Sequence, residues 1–188
     1  RALQPAIRFT KEECLDLPPM VYVKREVELT RQQSKYYNLL RDKMIMDAAG
    51  EQVTASNAAV NMNKLLQISC GAVYTDTGDT LEFDIKHRYK VLREVIDESS
   101  KKVLVFVPFR HVIDILVGKL TADGISTAVI RGDVPAAKRT EIFRRFQNSD
   151  DPRVVVIQPQ AAAHGVTLTA ANTVVWWGPT SSLATYAQ

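Results

Sequence analysis

Residues 103–107, Val-Leu-Val-Phe-Val, contain no polar side chain. Successive side chains of a strand point to opposite faces, so a strand of this kind has to be covered on both sides. The chain that follows supplies the covers. Residues 111–122 repeat apolar side chains at Val112, Ile113, Leu116, Val117 and Leu120, as a helix does, and stop at Gly124. A short strand is expected over 126–130, then a helix over 135–147 with proline in its first turn and Ile142, Phe143 and Phe146 turned inward. Two further strands are expected over 154–157 and 173–177. Strands alternating with helices across short connections imply right-handed crossovers and a parallel sheet with helices on both faces. The expected fold from about residue 87 onward is a three-layer α/β core.

The preceding residues read differently. Pro5, Pro18 and Pro19 mark 1–19 as an extended lead-in, and partial alternation over 20–29 predicts a half-buried strand. Thr30 with Gln33 has the spacing of a capping box, opening a helix with Tyr36, Tyr37, Leu40 and Met44 on one face. Residues 48–57 read as a loop, and 57–70 as a helix offering Leu65, Leu66 and Ile68 to a core. Residues 71–79 read as turns, and 87–98 as a helix through Tyr89, Leu92, Val95 and Ile96. The expected division is a mainly helical extension over 1–86 and the α/β lobe over 87–188.

A hydrophobic fraction of 46% in 188 residues suits one substantial core. The net charge of +3 permits nucleic acid binding without demanding it. From Lys101 to Gln147 there are nine Lys or Arg against four Asp or Glu, a local excess able to steer a polyanion or simply to solvate two helices. Cys14 and Cys70 have no metal-ligand spacing, and no metal site is expected. A reducing compartment follows: the cytoplasm of a bacterial or phage-infected cell, or a nucleus. No apolar run approaches the roughly 18 residues of a membrane span, and no signal peptide is visible. The chain reads as an excised piece of something longer.

Ligands of open α/β sheets bind at the carboxyl ends of the strands. Three loops there carry candidate residues: 108–111 with Arg110 and His111, 131–133 with Arg131, and 158–169 with Gln158 and Gln160. In the last, Ala161, Ala162, Ala163 and Gly165 are small enough for backbone N–H groups to approach a phosphate. Tight packing of small side chains under a helix explains the same composition.

Residues 154–188 resemble motif V and the start of motif VI of SWI/SNF-type superfamily 2 ATPases, with Gly165, Leu168 and Ala170-Ala171-Asn172 in the family's places. Residues 102–109 resemble motif IV, and Gly132, Arg139 and Phe146-Gln147 the stretch that follows it. Leu15-Asp16-Leu17-Pro18-Pro19, Leu29-Thr30, Gln33, Tyr36-Tyr37 and Leu65-Leu66-Gln67-Ile68 resemble the lead-in to the second lobe. The His164-Gly165 pair and Trp176-Trp177 look most like phage or prophage members. The resemblance spans nearly the whole chain in order. It implies the second RecA-like lobe of an ATP-dependent helicase or translocase, cut off at the start of motif VI. The partner lobe of the same protein would hold most of ATP and Mg²⁺. By carry-over, Arg110, His111, Gln158 and Gln160 contact nucleic acid phosphates, with Arg131 added from its loop position and charge. Gly165 and Thr167 face the nucleotide. The track is DNA, duplex or single strand, with RNA as the alternative.

Departures from the pattern bear on these roles. Alanines stand at 162 and 163 where glycines are common, Thr167 replaces Asn, and Gln158-Pro159 replaces Ser/Thr. No phosphate-binding loop of the Gly-x-x-x-x-Gly-Lys-[Ser/Thr] type occurs, since Gly118-Lys119 precedes Leu120 within a helix. Asp97-Glu98 reads as a solvated helix end. No catalytic residue is expected in the chain itself, which should not hydrolyse ATP alone. A non-catalytic nucleic-acid-binding or protein-interaction module is the competing reading. A Rossmann-like transferase ranks last for want of a Gly-x-Gly-x-x-Gly.

Overall fold

The computed structural model describes residues 20–49, 55–75, 77–161, 168–180 and 186. The lobe is a four-stranded, wholly parallel sheet of β3 (Lys102–Phe106), β4 (Thr127–Ile130), β5 (Val154–Ile157) and β6 (Ala171–Trp176), in the order β4-β5-β3-β6. Helix α3 (Lys86–Glu98) precedes β3, α4 (Arg110–Ala122) links β3 to β4, and α5 (Ala136–Asn148) links β4 to β5.

The apolar run dictates the layering. Val103, Val105 and Val107 point to one face, where they join Leu92 and Ile96 of α3 and Val112, Ile113, Leu116 and Leu120 of α4. Leu104 points to the other, with Ile130, Val155, Ile157 and Phe146 of α5. Both faces are covered as the sequence predicts. Helix α4 stops at the predicted glycine: Gly124 takes φ +72°, and Ile125 and Gly124 donate to the carbonyls of Leu120 (2.9 Å) and Thr121 (3.0 Å).

The extension is helical in the main, with α1 (Arg31–Ala49) and α2 (Ala55–Cys70). The capping box forms as spaced: the Thr30 amide donates to Gln33 Oε1 at 3.1 Å, and the Gln33 amide to Thr30 Oγ1 at 3.4 Å. Both helices run into the loop predicted over 48–57, of which residues 50–54 lie outside the described residues. Leu66, offered to the core by the sequence, is exposed, while Leu65 and Ile68 are buried. Residues 71–79 are more than turns. They begin a hairpin of β1 (Ala72–Tyr74) and β2 (Thr80–Glu82), antiparallel, with Val73 opposite Leu81. Val73, Ile68 and Phe83 form a third buried cluster against Tyr37 and Leu40. The strand expected over 20–29 does not form; Met20 to Val23 are each at least two-thirds exposed and pair with no strand among the described residues.

Hairpin and lobe share a core. Cys70, Ala72 and Ile85 are buried in the cluster that contains Leu92 and Val105. Trp177 Nε1 donates to the Cys70 carbonyl at 2.8 Å, and Arg88 Nη1 to the Trp177 carbonyl at 2.9 Å. Asp97 and Glu98 end α3 in solvent, paired with Arg93 and Arg25.

Candidate functional site

The sheet stays hydrogen-bonded to its carboxyl rim. Gln158 N donates to Ile130 O (2.8 Å), Val107 N to Ile157 O (2.9 Å) and Trp177 N to Phe106 O (2.9 Å). Three loops therefore leave the rim level with one another, after β3, β4 and β5. Each has a candidate residue one to four positions past its strand.

Two of these loops meet above the third. Arg110, first residue of α4, reaches across the β5 strand that separates β3 from β4. Its Nη2 lies 2.6 Å from Asp133 Oδ2. Arg131 Nε holds the other oxygen of the same carboxylate at 2.9 Å, and its Nη1 reaches Asp114 Oδ1 on α4 at 2.5 Å. Gln158 sits between, its Oε1 accepting from Gly132 N at 3.4 Å. Arg110, Arg131 and Gln158 are thus gathered into one group at the rim.

His111 is not part of it. One residue further along α4 turns the side chain by about 100°, away from the rim. Its ring is buried, its Nε2 donates to the Ala72 carbonyl at 3.0 Å, and it packs edge-on against Tyr74 at 4.3 Å. Burial pushes its pKa below the ordinary value, so it is a neutral spacer between lobe and hairpin. The ring expected to contact phosphate thus packs beneath the hairpin, apart from the group formed by Arg110, Arg131 and Gln158. Gln160 is exposed on the short 3₁₀ turn Pro159–Ala161. Gly165, Thr167 and His164 lie outside the described residues.

The sequence reading passed over the acids. Partial desolvation pushes the Asp133 carboxyl up, but Arg131 and Arg110 outweigh it and hold the group below its usual range. The hydrogen bond to Asp114 is the main cause that holds the Arg131 guanidinium above its ordinary value. The signal was present: Asp133 closes the Arg131-Gly132-Asp133 turn, and Asp114 lies one helical turn beyond Arg110. Two other residues anchor the ends of the small-residue loop. Arg139 Nη1 donates to the Ala161 carbonyl at 3.0 Å, and Gln147 takes Thr169 Oγ1 (2.6 Å) and Ala170 N (3.1 Å).

Among the described residues no cluster of three or more His, Cys, Asp or Glu is suited to a metal ion, and no helix is long and apolar enough to cross a membrane. The paired acids at the rim are engaged by arginine, which makes them poor ligands for Mg²⁺.

Comparison with known families matches residues 87–188 to the helicase conserved C-terminal domain. The chain belongs to that family. This helicase C-terminal domain is 27% identical over 181 residues to an uncharacterized ATP-dependent helicase of Mycoplasma genitalium, a match covering 91% of the chain and 17% of the relative. The chain thus spans about a sixth of that relative's length. Its fold is similar to the Sulfolobus solfataricus SWI2/SNF2 ATPase core domain, with a TM-score of 0.74 and 20% identity over 95% of this chain and 38% of that one. The S. solfataricus core solved in complex with dsDNA gives a TM-score of 0.64 at 20% identity, covering 80% and 33%. The RecA-like architecture expected from the motifs is the one observed.

Proposed function

We propose that this helicase C-terminal domain is the second motor lobe of an ATP-dependent DNA helicase or translocase and that its carboxyl rim grips the nucleic acid backbone. The observation that carries this reading is the convergence of Arg110, Arg131 and Gln158 above the ends of β3, β4 and β5. Guanidinium groups match phosphate oxygens in geometry as well as charge. Backbone amides and a glutamine carboxamide complete a surface that reads phosphate rather than base edges. The dsDNA bound by the S. solfataricus relative supports duplex DNA as the track over RNA.

The intact protein would place a first RecA-like lobe against this one, with ATP and Mg²⁺ held mainly by that partner. Gly165 and Thr167 are assigned to the nucleotide side through their motif positions alone. The chain has no phosphate-binding loop of its own, and by itself it should turn over no ATP.

Duplex binding across a salt series tests the grip. Affinity should fall steeply with salt and depend little on sequence. Arg110→Ala with Arg131→Ala should weaken binding and reduce the log–log salt slope by about one, at roughly 0.9 per phosphate neutralised. An unchanged slope would remove the rim from the nucleic acid path.

A further inference from the structure

The two arginines that would hold phosphate are already occupied. Asp133 gives one carboxylate oxygen to Arg110 at 2.6 Å and the other to Arg131 at 2.9 Å. With Asp114 on Arg131, two arginines face two aspartates, and the group carries no net charge. A rim described as cationic from its arginines alone is neutral as folded.

We propose that Asp133 is the specificity-determining residue of this rim: its carboxylate stands in for one backbone phosphate and is displaced when that phosphate binds. This rests on the phosphate-binding reading given above. A carboxylate has two oxygens on one carbon, as a phosphodiester has two non-bridging oxygens on one phosphorus. Each oxygen of Asp133 meets a different guanidinium, so one phosphate entering the same position inherits both contacts.

The arrangement allows the exchange. Asp133 lies in the short turn between β4 and α5, next to Gly132, with its side chain 42% exposed. It can swing outward without breaking any strand pairing. Arg131 keeps Asp114 when Asp133 leaves, so its guanidinium stays oriented toward the incoming group. Arg110 starts α4 with no side-chain cap on the preceding Phe109, so the helix's positive end adds to the pull on an anion there. An anion unable to reach both arginines at once gains too little to replace the internal carboxylate. The rim is thereby tuned against single weak anions and toward a polyphosphate track, where neighbouring contacts supply the difference.

The test is fluorescence anisotropy of a labelled mixed-sequence DNA duplex with this chain across a salt series. Three variants are compared with the unaltered protein: Asp133→Asn, Asp133→Ala and Asp114→Asn. Both Asp133 variants should bind on the order of tenfold more tightly at low salt, with a log–log slope steeper by about one. Asp114→Asn makes the same change in net charge but leaves Asp133 in place, so it should shift affinity by less than about threefold. Equal gains from Asp114→Asn and Asp133→Asn would reduce the effect to bulk charge and overturn the proposal. So would binding by the unaltered chain that Asp133→Asn leaves unchanged or weakens, while the phosphate reading of the rim survived. Absence of duplex binding by every form would overturn that reading and this inference together.

Discussion

Gln33 is the residue on which the attachment of the two extension helices turns. It is only 4% exposed, and its carboxamide is used at both ends. Oε1 accepts from the amide and the hydroxyl of Thr30, each at 3.1 Å, closing the capping box at the start of α1. Nε2 donates to the carbonyls of Ile68 (2.9 Å) and Ser69 (3.4 Å) at the end of α2, where the Ile68 carbonyl also accepts from Gly71 N at 3.2 Å. One side chain thus caps the start of one helix and the end of another. Gln33→Ala removes a cap contribution of about 1 kcal/mol. It also removes the buried hydrogen bond to the Ile68 carbonyl, which keeps its bond from Gly71 N, for about a further 1 kcal/mol. The expected loss is about 2 kcal/mol, or on the order of 4–8 °C in melting temperature for a chain of this size. Thermal unfolding followed by far-ultraviolet circular dichroism measures it, with exposed Gln32→Ala as the reference. Gln33→Glu keeps the acceptor and loses the donor, placing a carboxylate against two carbonyls, and should melt no higher than Gln33→Ala. If Gln33→Ala melts within about 1 °C of Gln32→Ala, the two-ended cap is not what fixes these helices.

His111 should give stability a pH dependence. Its folded pKa is depressed below the ordinary 6.5 by burial, against smaller opposing effects of the Ala72 carbonyl, Asp114 and Glu82. Its contribution is therefore complete above about 6.5 and is lost as pH falls through the lower folded value. Melting temperature should decline between pH 7.5 and 5.5, and the decline should be shallower in His111→Gln, which can still donate to Ala72; parallel slopes would refute the assignment. Gly71 should resist any side chain. It takes φ +125°, and a Cβ there would lie 2.3 Å from Ile85 Cγ2. Gly71→Ala should cost on the order of 3 kcal/mol in urea unfolding, whereas Gly132→Ala, with open space around the added carbon, should cost little.

The parallel sheet was legible because its strands carry their own constraint. Residues 103–107 and 154–157 leave no polar side chain for solvent, and each is too short for a helix. The capping box and Gly124 were legible because their chemistry is local. What failed needed a partner from elsewhere in the chain. Val21, Val23 and Val27 fall at alternate positions as strand residues do, yet Val21 and Val23 are exposed and pair with no strand among the described residues. Strands Ala72–Tyr74 and Thr80–Glu82 are three residues each, shorter than any window in which alternation rises above chance. In the site, Arg110 and His111 are adjacent in sequence, and composition alone groups them. The helix separates them by a quarter turn or more, sending the arginine to the rim and the imidazole beneath the hairpin.

The ion pairs at the rim separate binding from folding. Arg110 and Asp133 have side chains 52% and 42% exposed, and pairs so open to water contribute about 0–1 kcal/mol to stability. The sheet beneath them is held by side chains with no exposure at all, such as Val105 and Val156. Changing Asp133 therefore alters what the rim can hold without disturbing the strands that position it. A carboxylate placed by folding alone would be expected on a single partner, or buried where its pairing counts. Asp133 instead joins two arginines from separate loops, 23 residues from Arg110 in sequence, at the carboxyl ends of β3, β4 and β5. Under the proposed exchange, one backbone phosphate takes that place when Asp133 leaves.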